Sequence, residues 1–163
     1  MAEFAKLSVS DTHILDICCK VEESCADLYR YFALIYADSP QISDLWEKTA
    51  KEEDSHAEHF RLASRLKGSG IQSLKSDIYN VSVLLKKIQT IFASVQKSPP
   101  PLKEALKFAI KLEESMADYH MNTIASFEDK DLERLFSSMM RNDKDHILML
   151  EKAHKDLSAM ESQ

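Results

Sequence analysis

The sequence predicts an all-α fold, a four-helix bundle built from two antiparallel helix hairpins with a long, partly helical crossover between them. Three observations lead there. Only two glycines and four prolines interrupt 163 residues, so few positions break a helix. Apolar residues recur at helical spacing through long stretches of the chain. The two halves also echo one another: "VEESCADLY" at 21–29 answers "LEESMADYH" at 112–120, and "KEEDSH" at 51–56 answers "RNDKDH" at 141–146.

The elements follow in order within a single domain expected to span 1–163. A first helix is expected over 10–37, with Ile14, Ile17, Cys18, Val21, Cys25, Leu28, Phe32 and Ile35 on its apolar face, Ser10 or Asp11 as its cap and "DSP" at 38–40 as its stop. A second is expected over 43–67, through Trp46, Thr49, Phe60 and Ala63 to Gly68. The short connection between them makes a hairpin. After "KGSG", Val81, Leu84, Leu85, Ile88, Ile91, Phe92 and Val95 mark an amphipathic crossover helix over 76–97, closed by "SPPP". The prolines suit the first turn of the next helix, 101–127, and a last helix over 130–155 completes the second hairpin.

Composition narrows the function. The formal net charge is −6 with no basic block, which excludes nucleic acid and an anionic membrane surface as main partners, since both depend on clustered Lys and Arg. No apolar run reaches the ~20 residues of a membrane span. The first residues carry acids and lack a cleavable apolar segment, so a cytoplasmic location is expected. Cys18, Cys19 and Cys25 fall in one helix without a CxxC pair, and are read as core filling rather than a disulfide or thiolate metal site.

The chemistry lies in which way the acids point. At about 100° per residue, Glu22 sits at the border of the first helix's apolar face beside Tyr29, and Glu23 falls nearly opposite. Glu113 aligns with Ala109, Met116 and His120, whereas Glu114 turns toward water. Glu53 and His56 straddle the direction of Thr49 and Phe60, and Asp143 and His146 straddle that of Met139 and Leu150. Four carboxylates and two imidazoles thus point inward from four helices, in the order Glu, Glu-x-x-His, Glu, Asp-x-x-His. That is the ligand set of a dinuclear carboxylate site apart from one Asp. Without cations, clustered charges in a low-dielectric interior are strongly unfavourable. The candidate metal ligands are Glu22, Glu53, His56, Glu113, Asp143 and His146.

With these residues in view, the chain from about 10 to 155 resembles the rubrerythrin branch of the ferritin-like di-iron carboxylate superfamily. "EESCADLYRYFA" at 22–33 is similar to its first-helix Glu followed by aromatic positions, and "KEEDSHAEHF" at 51–60 to its Glu-x-x-His-Ala-x-x-Phe helix. The resemblance implies a ferritin-like bundle holding two iron ions, with dimanganese or a mixed pair as alternatives. It implies Glu22 and Glu113 as terminal carboxylates, Glu53 and Asp143 as bridges, and His56 and His146 as one imidazole per metal. The local "ESxA" pattern matches Glu23, but the face argument selects Glu22.

Two positions depart from the family pattern. Asp143 stands in place of Glu and reaches one methylene less far. Met116 stands where peroxidase-type members carry a further glutamate. There is no rubredoxin-like four-cysteine module, so the electron donor is expected to be a separate protein. The implied activity is an oxidoreductase reacting with dioxygen or hydrogen peroxide. The alternatives are an iron storage or detoxification subunit, against which the amphipathic crossover counts, and a helical binding module without catalysis; pairing into a homodimer is left open. His120 is read as a core histidine, with support of a ligand or displaceable ligation as its other readings. Tyr29 is read as a partner of a ligand carboxylate or a core-border tyrosine. His13, His59 and His154 are read as surface groups.

Overall fold

The computed structural model describes residues 8–66 and 71–162. Five helices and two short strands follow in the order α1 (Val9–Ile35), α2 (Pro40–Arg65), β1 (Ile71–Leu74), α3 (Ile78–Lys97), α4 (Leu102–Thr123), β2 (Ile124–Phe127) and α5 (Lys130–Glu161). The architecture is the expected all-α, ferritin-like bundle. α1 packs along α2 and α4 along α5, α2 meets α5 where the hairpins join, and α3 lies against α1. No helix among the described residues is long and apolar enough to cross a membrane.

Local chemistry explains the helix ends. Ser8, rather than Ser10 or Asp11, caps α1: its Oγ accepts from the Asp11 amide at 3.1 Å, and the Asp11 carboxylate accepts from the Ser8 amide at 3.0 Å. This reciprocal pair satisfies two otherwise orphaned donors. α1 ends at Ile35 with Tyr36 as its cap, ahead of "DSP" and short of the expected 37, and Pro40 opens α2 at its first helical position, where a missing N–H costs nothing. Pro101 precedes α4 as its cap residue instead of entering its first turn. Asp77 caps α3, its side chain accepting from the Asn80 amide at 2.8 Å. The expected end of the second helix at Gly68 lies outside the described residues, and α5 runs on past 155 to Glu161.

The two strands depart from the sequence pattern, which predicts helix through residue 127. α4 stops at Thr123, and β2 pairs antiparallel with β1, Ile71 opposite Phe127 and Leu74 opposite Ile124. Ser73 and Ser126 join across the ribbon at 2.8 Å. The Lys75 amide donates to the Thr123 carbonyl at 2.9 Å, and the Ser76 hydroxyl to the Asn122 carbonyl at 3.2 Å. The crossover thereby satisfies carbonyls that the end of α4 would leave unpaired.

The core is continuous. From α1 it takes Leu15, Cys18, Val21, Cys25, Leu28, Tyr29 and Phe32, from α2 Trp46, Ala50, Phe60 and Ala63, from α4 Leu106, Ala109 and Met116, and from α5 Phe136, Met139 and Leu150. Each large side chain removed from water contributes about 1.5–3 kcal/mol before entropy. The three cysteines are free and buried. Burial pushes the Cys18 thiol up to about 12 and the Cys19 thiol up to about 11, so both stay protonated and chemically quiet. Polar side chains occupy the middle of this core.

Candidate metal centre

Every candidate ligand read from the sequence is buried. Glu22 on α1, Glu53 and His56 on α2, Glu113 on α4, and Asp143 and His146 on α5 are each at most 1% exposed. His120 on α4 joins them at 5%. One helical turn separates Glu53 from His56 and Asp143 from His146; two turns separate Glu113 from His120. Each pair therefore shares a face.

These groups form two clusters. One ligand atom from each of Glu22, His56 and His120 lies within 4.8 Å of the other two, and the same holds for Glu53, Glu113 and His146. In the first cluster Glu22 Oε1 is 2.9 Å from His120 Nε2, and Glu22 Oε2 is 3.7 Å from His56 Nδ1. In the second, His146 Nδ1 is 3.3 Å from Glu113 Oε2. Glu53 spans the two: its Oε2 is 3.3 Å from His56 Nδ1, and its Oε1 is 3.6 Å from His146 Nδ1.

Surrounding side chains orient the clusters. The Tyr29 hydroxyl donates to Glu113 Oε1, and the Tyr29 ring stacks on Trp46 with centroids 5.6 Å apart. His146 meets Glu52 through its outer nitrogen, the kind of carboxylate contact that fixes the tautomer and angle of a ligating imidazole. Phe60 sits 6.2 Å from the His120 ring. Cys25 Sγ and Met116 Sδ, 4.0 Å apart, add to the apolar surroundings.

The electrostatics record the strain of putting ionisable groups here. Burial lifts the Glu53 carboxyl and the neighbouring Glu113 lifts it further, to about 8. Burial would also lift Glu22, but the charge and hydrogen bond of His120, with help from His56, outweigh it and bring Glu22 down to about 2. Burial opposes charge on the imidazoles, yet Glu22 and Glu53 raise His56 to about 11, and Glu22 and Asp143 raise His120 to about 10. His146 is raised as well, with burial opposed by Glu113 and Glu53. Protons on the histidines thus neutralise the acids, and a cation that displaced them would take over that role.

A divalent metal pair fits this donor set. Glu22 Oε2 is buried and has no hydrogen-bond partner among the described residues, a cost that a cation would remove. Carboxylate and imidazole donors suit iron and manganese.

The structure separates the paired acids. Glu23 leaves the core to pair with Arg61, and Glu114 is exposed. Glu22→Ala and Glu113→Ala are each expected to lower bound metal, and Glu23→Ala and Glu114→Ala to leave it unchanged, as read by elemental analysis of refolded protein. The opposite ranking would show that the inward acids do not hold metal.

Asp143 is the one expected ligand that neither cluster includes. Its Oδ2 is taken by His120 Nδ1 at 2.7 Å, and its Oδ1 finds no partner among the described residues. Glu52 is hidden from the sequence pattern, and so is the pairing of His120. Glu52 precedes Glu53, and a one-residue step turns it about 100° off the inward face. His120 is inward by its spacing, but the two acids between which it lies come from other helices. His59 is half-buried instead of lying at the surface, its ring 6.3 Å from both His56 and Phe136, since three residues after His56 it shares that face. His154 is half-buried too, and His13 is exposed.

No curated protein and no solved structure matches the chain. The family model for Rubrerythrin does, over residues 13–153. That span takes in every residue of both clusters, and the chain therefore belongs to the rubrerythrin family of the ferritin-like di-iron carboxylate superfamily.

Proposed function

We propose that this chain is a di-iron oxidoreductase that reduces dioxygen or hydrogen peroxide inside the bundle, with electrons supplied by a separate donor protein. The observation that carries the reading is Glu53, a fully buried carboxylate with one oxygen toward His56 and the other toward His146. That arrangement supports a carboxylate shared between two metal sites. When bound, iron in such a set supplies electrons and an open coordination position for the oxidant.

The protein's own residues hold and shield that chemistry. Glu22 and His56 furnish donors at one end, Glu113 and His146 at the other. Tyr29 fixes Glu113 by donating to its outer oxygen, and Glu52 fixes the His146 ring. Trp46, Phe60 and Met116, each buried, keep water from the acids. The cysteines, buried along α1, do not form an electron-transfer site, which is why we assign electron delivery to a partner.

Anaerobic loading with ferrous iron is expected to give about two ions per chain. Stoichiometric peroxide or dioxygen should then oxidise the bound iron and raise near-ultraviolet absorption. Less than half an ion per chain in folded protein would overturn the di-metal reading. Full loading with no oxidation by either oxidant would overturn the oxidoreductase reading alone.

A further inference from the structure

We propose that His120 is itself a metal ligand and that Asp143 is the carboxylate holding it, so the Glu22 end of the centre carries two imidazoles where the Glu113 end carries one. The inference rests on the di-metal reading and concerns which side chains make up the site.

The geometry of His120 carries it. A histidine that only fills core space needs its nitrogens satisfied, and any carbonyl would serve. Here Nε2 lies 2.9 Å from Glu22 Oε1, inside the cluster that also contains His56, and Nδ1 lies 2.7 Å from Asp143 Oδ2. One nitrogen faces the ligand atoms while a carboxylate holds the other. Metal-binding histidines are oriented in this way. His56 and His120 stand nearly perpendicular, ring centroids 5.5 Å apart, and each presents a nitrogen to Glu22.

Asp143 explains why a histidine is needed. In the internal repeat it corresponds to Glu53, whose two oxygens reach toward both halves of the centre. One methylene shorter, Asp143 does not join either cluster, and His120 lies between it and Glu22. The imidazole spans the distance that the shorter acid leaves. Exchanging a carboxylate for a neutral ligand also leaves three carboxylates on the two metals instead of four. The two ends then differ in kind: the imidazole-rich one favours iron, cobalt or zinc, and the oxygen-rich one accepts manganese more readily.

Cobalt(II) makes the ligands countable, because each imidazole bound to it shows a ring N–H proton shifted far outside the normal proton NMR range. Histidine-labelled protein loaded anaerobically with cobalt(II) is expected to show three such resonances. His120→Gln should remove one and reduce uptake from about two ions to about one. Asp143→Asn should keep all three resonances and both ions, with the His120 resonance moved, because an amide oxygen still accepts from Nδ1–H. Two resonances in the unaltered protein would overturn the role of His120, whatever the variants do. Three resonances together with loss of an ion in Asp143→Asn would overturn the role of Asp143. Failure of the unaltered protein to take up cobalt would overturn the di-metal reading and this inference with it.

Discussion

Replacing Glu53 with Met and His56 with Leu together is expected to abolish metal uptake and yet raise the melting temperature of the metal-free protein. Both side chains are at most 1% exposed. Glu53 is held so far from water and so near Glu113 that its carboxyl titrates at about 8. The outer nitrogen of His56 is buried without a partner among the described residues. Exchanging a buried acid and base for apolar groups of similar bulk is commonly neutral or stabilising, by about 1–4 kcal/mol. Glu22 keeps His120, and Glu113 keeps His146, so no charge is orphaned.

The single variant Glu53→Met is expected to behave oppositely. It leaves His56 with only Glu22, an acid that His120 already shares, and removing one partner of a buried pair costs about 3–5 kcal/mol. Metal restores the order in favour of the unaltered protein: a thousandfold excess over Kd stabilises the native state by about 4 kcal/mol. Thermal melts with chelator and with ferrous iron read all three proteins. A double variant that melts below the metal-free parent would show these side chains to be structural supports.

The metal-free protein is also expected to lose stability steadily as the solution is made alkaline. His56 and His120 titrate above their ordinary 6.5, so the stability they contribute is fully present below 6.5 and is lost as pH rises through about 10 and 11. Glu53 adds to the same trend. With its folded pKa raised from 4.5 to about 8, its penalty is absent below 4.5 and complete above 8. Glu22 runs the other way, with stability present above 4.5 and lost as pH falls toward 2. The maximum should therefore lie between about pH 4.5 and 6.5. A fall of several kcal/mol follows on the alkaline side, since each tenfold change in a group's proton affinity on folding is worth about 1.4 kcal/mol.

Metal reverses the slope. Its binding displaces the imidazole protons and is favoured by raising pH, so the gap between loaded and metal-free protein should widen from about pH 6 to about pH 9. Urea unfolding at fixed salt with and without ferrous iron measures the gap. A metal-free stability that stays flat across this range would show that the cluster does not hold these protons.

The helical phase is legible because the chain repeats one physical rule over long stretches. Cys25 and Phe32 set the buried face of α1, and Glu22 rather than Glu23 follows from a step of about 100°. The repeat between "KEEDSH" and "RNDKDH" then places acid and imidazole on opposing helices. What lies beyond reach is set by pairs distant in sequence. Nothing within "IQSL" announces a strand until "IASF" lies beside it, and so short a stretch shows no period. Asp143 is legible as inward, but its engagement with His120 depends on how far apart α4 and α5 stand, which periodicity does not contain. Likewise Glu52 reaches His146 only because α2 meets α5.

The β1–β2 ribbon has a consequence for how steadily His120 is held. That residue lies in the last turn of α4, and terminal turns are where helices fray, opening for little free energy. Here the turn runs directly into β2, and its carbonyls at Asn122 and Thr123 accept from Ser76 and Lys75 of the crossover. For α4 to unwind from this end the ribbon must part first, so the turn carrying His120 opens with the folded body of the protein and not as a loose end.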